Sequence, residues 1–174
     1  FQWFRHRADL RMTRDEAKRE HRESEGDPQL KGQIRSRQRE AARRRMLSAV
    51  PSADIVVVNP THYAVAIRYD EAAGGAPRVV AKGLDELAMR IQAIARESGV
   101  PVLSAPPLAR ALYAHVELDQ EIPQALYVAV AQVLVYVYQL KRWIPGRSTA
   151  PQAPVDLPVP TEMDPKHSEK GKHA

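Results

Sequence analysis

Asp54-Ile55-Val56-Val57-Val58-Asn59-Pro60-Thr61-His62-Tyr63-Ala64-Val65-Ala66-Ile67-Arg68-Tyr69 is the stretch that decides the fold. Residues 55–58 are a short β-branched run without polar alternation, which predicts a strand buried on both faces. Asn59-Pro60 interrupts it, because proline has no N–H to donate to a ladder. Residues 63–69 resume as a strand, with Ala64, Ala66 and Arg68 alternating against Val65, Ile67 and Tyr69. The four residues between are read as a tight turn. Asn first and Pro second suit a type I turn.

Downstream, Gly74-Gly75 marks a loop over 71–77. Residues 79–81 read as a third short strand and 100–103 as a fourth. Between them Leu84, Leu87, Ala88, Ile91, Ile94 and Ala95 recur at helical spacing, and Gly99 ends that helix. Ser104 is placed to cap a helix over 108–115, with Pro106 and Pro107 near its first turn. Pro123 opens a last helix over 124–143, apolar on most faces and so expected to be buried. Strands interleaved with helices give an α/β sandwich with a small sheet.

Outward on both sides the composition changes. Residues 7–24 are rich in charged helix formers, Gly26-Asp27-Pro28 breaks them, and a second helix follows over about 30–50. It carries Arg35, Arg37, Arg39, Arg43, Arg44 and Arg45. From Ser148 the chain holds Pro151, Pro154, Pro158, Pro160 and Pro165 among polar residues, a composition expected to be disordered or extended. The division is therefore a basic helical arm over 1–50, an α/β domain over 51–146 and a Pro-rich tail over 147–174.

The 174 residues hold 26 Lys+Arg and 21 Asp+Glu, a net charge of +5. Residues 1–50 carry 14 basic and 8 acidic side chains, so the excess positive charge sits in the arm. No cysteine is present, which excludes disulfides and thiolate chemistry. No apolar run reaches the roughly 20 residues of a membrane span, and no signal peptide is read. Phe1-Gln2-Trp3-Phe4-Arg5-His6-Arg7 places aromatics before cations, which suits a membrane–water interface on the cytoplasmic side or an ordinary chain end. The start at Phe1 suggests a piece of something longer.

Asn59 is the chain's one asparagine. The following residue normally deamidates an Asn through its backbone nitrogen, and Pro60 closes that route. The reverse attack stays open. Asn59 Nδ2 can add to the Asn59 main-chain carbonyl, closing a five-membered succinimide and expelling the nitrogen of Pro60. A turn that holds nitrogen and carbonyl together supplies rate. Proton transfer and an oxyanion donor supply more. His62 can move protons near neutral pH, and Thr61 offers a hydroxyl and an N–H. A plain Asn-Pro turn explains the same residues without any reaction.

Asn59-Pro60-Thr61-His62 with Tyr63-Ala64-Val65-Ala66 resembles the NPTH segment of the FlhB/YscU family, the export-switch proteins of type III secretion. So do Glu25-Gly26-Asp27-Pro28, Lys31-Gly32-Gln33-Ile34-Arg35, Val79-Val80-Ala81-Lys82-Gly83, the block from Ala105 to Tyr113, and Gln139-Leu140-Lys141-Arg142-Trp143. Tyr63 after the motif, the block from Ala105 to Tyr113 and the long Pro-rich tail favour the flagellar branch. The resemblance implies a four-stranded sheet surrounded by about four helices, attached to a membrane part of four spanning helices that this chain lacks. It implies single-turnover self-cleavage between Asn59 and Pro60, with Thr61 and His62 assisting, and no cofactor or metal. It implies that fragments 1–59 and 60–174 stay associated, and that cleavage switches export from rod-hook to filament substrates. The implied partners are the export-apparatus gate proteins, the export ATPase complex, a hook-length ruler protein and export substrates. The implied location is the cytoplasmic side of a bacterial inner membrane.

The basic arm supports a rival class, a membrane-surface or nucleic-acid-binding module. Stacking on bases needs aromatics among the cations, and none lies between Arg5 and Arg45, so no nucleic-acid partner is expected. Anionic lipid remains the expected partner of residues 35–45, and a solvated linker suits 7–24. His6, His21, His62, His115, His167 and His173 show no ligand spacing.

Overall fold

A computed structural model describes residues 28–70, 72, 74–145 and 149–168. The charged helix expected over 7–24 and the aromatic start lie outside the described residues. The chain divides into two units, 1–44 and 45–174. Helix α1 (Pro28–Ala49), most of which belongs to the first, begins on the proline that breaks the preceding sequence. Its side chains from Gln29 to Arg44 are exposed. Too few apolar residues lie along it to form a buried stripe, and Arg44 pairs with Glu40 one turn back.

The second unit is built on the quoted stretch. Strands β1 (Ile55–Asn59), β2 (Tyr63–Arg68), β3 (Arg78–Leu84) and β4 (Val102–Ser104) form one sheet in the order β3-β2-β1-β4. β1 runs antiparallel to β2 and parallel to β4, so it is flanked on both edges. That interior place explains its unbroken β-branched run: all of Ile55, Val56, Val57 and Val58 are buried. Pairing Ile55 with Ile67 and Val57 with Val65 sets one face. Pairing Val56 with Ala66 and Val58 with Ala64 sets the other.

Each face meets its own helices. Helix α2 (Glu86–Glu97) packs Ala88, Ile91 and Ala95 against Val56, Val58, Ala64 and Ala66, with Val50 completing that core. The small residues of β2 let α2 approach closely. Gly83 shows how closely, since a Cβ there would lie 2.8 Å from Leu87 Cγ and 2.9 Å from the Leu87 carbonyl carbon. Helices α3 (Pro106–His115) and α4 (Tyr127–Arg142) cover the opposite face, against Ile55, Val57, Val65, Ile67 and Val79.

Three readings need correction. Ser104 is the last residue of β4, not a cap; Ala105 holds the N-cap position and the two prolines fill the first turn of α3. α4 starts at Tyr127 after a 3-10 turn over Gln124–Leu126, and only one side of it is buried. Val128 and Val135 are 61% and 54% exposed, because an outer-layer helix meets the sheet with one face. The third concerns the tail. It is extended over 149–160, yet Leu157, Val159 and Met163 pack against the α3–α4 core. Asp164 forms a bidentate pair with Arg110, at 2.6 and 2.5 Å, with side chains 4% and 14% exposed. Hydrogen bonding to Asp164 pushes the Arg110 guanidinium above its usual range, against the opposing effect of burial. Composition counts apolar residues and so misses an anchor made by one charge pair and three side chains.

Candidate functional site: the turn between the first two strands

Asn59 is the last residue of β1 and is half-buried. Pro60, Thr61 and His62 form the exposed turn, and Tyr63 opens β2 opposite Asn59. The His62 N–H donates to the Asn59 carbonyl oxygen at 3.0 Å, which closes the turn. Thr61 has φ +67, so this is a type II rather than a type I turn. That position normally takes glycine, and a β-branched residue there holds about 1–3 kcal/mol of backbone strain. The Thr61 hydroxyl donates to the Pro60 carbonyl at 2.7 Å.

The flanks of the turn are held firmly. The Val58 carbonyl accepts from Ala105 N–H at 3.0 Å, tying the end of β1 to the start of α3. Tyr63 packs on Tyr113 of α3 with ring centroids 4.9 Å apart. Lys82 of β3 donates to the Tyr113 and Val116 carbonyls at 3.3 and 2.8 Å, satisfying the C-terminal end of that helix. A firmly bonded frame thus surrounds a four-residue turn whose backbone is strained at Thr61.

The carbonyl carbon that Asn59 Nδ2 would attack carries the oxygen already bonded to His62 N–H. That N–H is aimed at the oxygen on which negative charge would develop. The structure therefore joins Asn59 and His62 through the backbone, a link that spacing alone did not reveal. It also brings in a residue the sequence reading passed over. Asp85 Oδ1 lies 3.7 Å from His62 Nδ1, and Asp85 N–H donates to the His62 carbonyl at 2.8 Å. Asp85 stands 23 positions beyond His62, and only the pairing of β2 with β3 makes them neighbours. Among the described residues no group of three or more His, Asp or Glu stands close enough to hold a metal.

A family model described as the FlhB HrpN YscU SpaS Family matches residues 1–137. Curated proteins named flagellar biosynthetic protein FlhB, from Escherichia coli and Salmonella typhimurium, are each 55% identical over 164 residues. The matches cover 94% of this chain and 43% of those proteins, so the chain spans less than half their length. The solved cytoplasmic domain of FlhB from Shewanella putrefaciens is 48% identical with a TM-score of 0.66, covering 72% of this chain and 97% of that one. An EscU C-terminal domain with an asparagine-to-aspartate mutation is 28% identical with a TM-score of 0.51, covering 53% and 98%. Relatives at this identity and a model spanning most of the residues lead to one conclusion: the chain belongs to the FlhB HrpN YscU SpaS family.

Proposed function

We propose that this chain is the cytoplasmic part of a flagellar type III export-gate protein and that it cuts itself once between Asn59 and Pro60. The observation that carries the reading is the strained turn in which His62 N–H holds the Asn59 carbonyl oxygen. Asn59 Nδ2 bonds to the Asn59 carbonyl carbon and gives up a proton. The bond from that carbon to Pro60 N breaks, and Pro60 N takes a proton to become a new N-terminus. Fragment 1–59 is left with a succinimide, which water opens. His62 serves the proton transfers, and the Thr61 hydroxyl fixes the Pro60 carbonyl. Strain at Thr61 is released when the bond breaks, which favours the forward direction. Solved EscU domains carry changes at an asparagine and at the proline that follows it, which supports the same pair as the reacting one here.

Cleavage leaves β1 on one fragment and the other three strands on the second, with the buried sheet holding them together. The freed turn changes the local surface, and this is the change read as the switch from rod-hook to filament substrates. The gate proteins, ATPase complex, ruler protein and substrates are the partners in this reading. No described helix is long and apolar enough to cross a membrane. The exposed arginines of α1 face anionic lipid in this reading, beneath the inner membrane. Intact mass after incubation at neutral pH tests the reaction. Two species of 59 and 115 residues, the shorter first lighter by one water, are expected. A persistent 174-residue species refutes it.

A further inference from the structure

Asp85 follows Leu84, the last residue of β3, and stands immediately before α2. Its backbone has φ 47 and ψ −114, a region suited to glycine because a Cβ there crowds the adjoining peptide groups. Aspartate in this place ordinarily caps the helix through its carboxylate, but Asp85 makes no side-chain capping bond. Its carboxylate faces the turn instead, 3.7 Å from His62 Nδ1. The two backbones are fixed to each other by the bond from Asp85 N–H to the His62 carbonyl. Both side chains are about two-thirds exposed, 64% and 65%, so packing does not clamp either of them at this separation, which is about half an ångström beyond a hydrogen bond. A residue kept in a glycine conformation without its capping bond points to another use for its carboxylate.

We infer that Asp85 is a positioning residue for His62 in the cleavage reaction. Its carboxylate accepts the Nδ1–H of His62, which fixes the ring and leaves Nε2 as the free base. Nε2 takes the proton from Asn59 Nδ2 and delivers it to Pro60 N as that nitrogen leaves. The imidazole ends the cycle neutral, as it began. The inference rests on the self-cleavage reading and adds a residue to it.

The test follows cleavage of the 174-residue chain made in a short pulse of cell-free synthesis and sampled at neutral pH. Asp85→Gly, Asp85→Asn, His62→Ala and the double variant His62→Ala/Asp85→Gly are compared. Melting temperatures are measured in the Asn59→Ala background, where no cut occurs. Asp85→Gly relieves the backbone, so its melting temperature is expected to equal or exceed that of the parent. Its cleavage is expected to slow about 10-fold, part of the roughly 100-fold or more that a positioned base supplies. Asp85→Asn keeps an acceptor oxygen without the charge and is expected to fall between. In the His62→Ala background Asp85→Gly is expected to slow cleavage no further. An unchanged rate in Asp85→Gly, or equal slowing with and without His62, overturns the inference while leaving self-cleavage standing. A wild-type chain that never cuts overturns both.

Discussion

If the chain cuts itself as proposed, Val57→Ala made in the cleaved protein measures how the two fragments are held. Val57 is fully buried at the centre of β1, between Val65 on β2 and Leu103 on β4. After cleavage, β1 is a bound segment of fragment 1–59 rather than part of a continuous chain. Its four buried aliphatic side chains contribute roughly 6–12 kcal/mol, against an association cost of similar order. The prediction is therefore read as a difference. Removing two methyl groups loses about 0.8 kcal/mol each and leaves a cavity, for a total of about 1.5–3 kcal/mol. Since 1.4 kcal/mol is tenfold, the fragment dissociation constant should rise about 10- to 100-fold. Native size-exclusion should show wild-type fragments eluting together. Urea midpoints should rise with protein concentration, because unfolding now releases two pieces, and Val57→Ala should lower them at every concentration. The uncut Asn59→Ala chain should show no concentration dependence. Wild-type fragments that separate without denaturant, or an unmoved midpoint in Val57→Ala, would refute the claim that β1 is the joint.

Asn59→Ala removes the attacking nitrogen and should give a single species by intact mass after any incubation. Gly83→Ala forces a Cβ into Leu87 and Ile91, and chemical denaturation should show a loss of about 1–3 kcal/mol. Arg110→Ala removes the charge partner of the nearly buried Asp164 and should cost about 3–5 kcal/mol, with the tail over 149–168 becoming open to protease. Replacing both partners, Arg110→Met with Asp164→Leu, should recover most of that loss. The Arg110 proton is held more tightly in the folded state, so its contribution is complete at all pH values below the ordinary arginine range and lost only above it. Between pH 6 and pH 9 that contribution should not vary, which a denaturation series across those values checks.

Much of this fold is legible in local pattern. The β-branched run from Ile55 to Val58 declares an interior strand, because only a strand flanked on both edges and covered on both faces wants no polar alternation. The spacing from Leu87 to Ala95 declares α2 in the same way. The ends of elements are less legible. Ser104 has the chemistry of a cap but sits in β4, since pairing of Val58 with Ser104 across the sheet outweighs a single capping bond. α4 reads as buried throughout because hydropathy reports side-chain type, not how many neighbours the layer above supplies.

The pair proposed to react is named by sequence: one asparagine before one proline, between two strands, with a histidine two residues on. Sequence alone determined which bonds could break, because that depends on covalent chemistry and on proline lacking an N–H. It left open whether Asn59-Pro60-Thr61-His62 is an ordinary turn. Only tertiary structure supplied the left-handed Thr61, the carbonyl held by His62, and Asp85 brought alongside from the end of another strand. Each of these depends on the register of β2 against β1 and β3, and register is set by packing over the whole sheet rather than by any four residues.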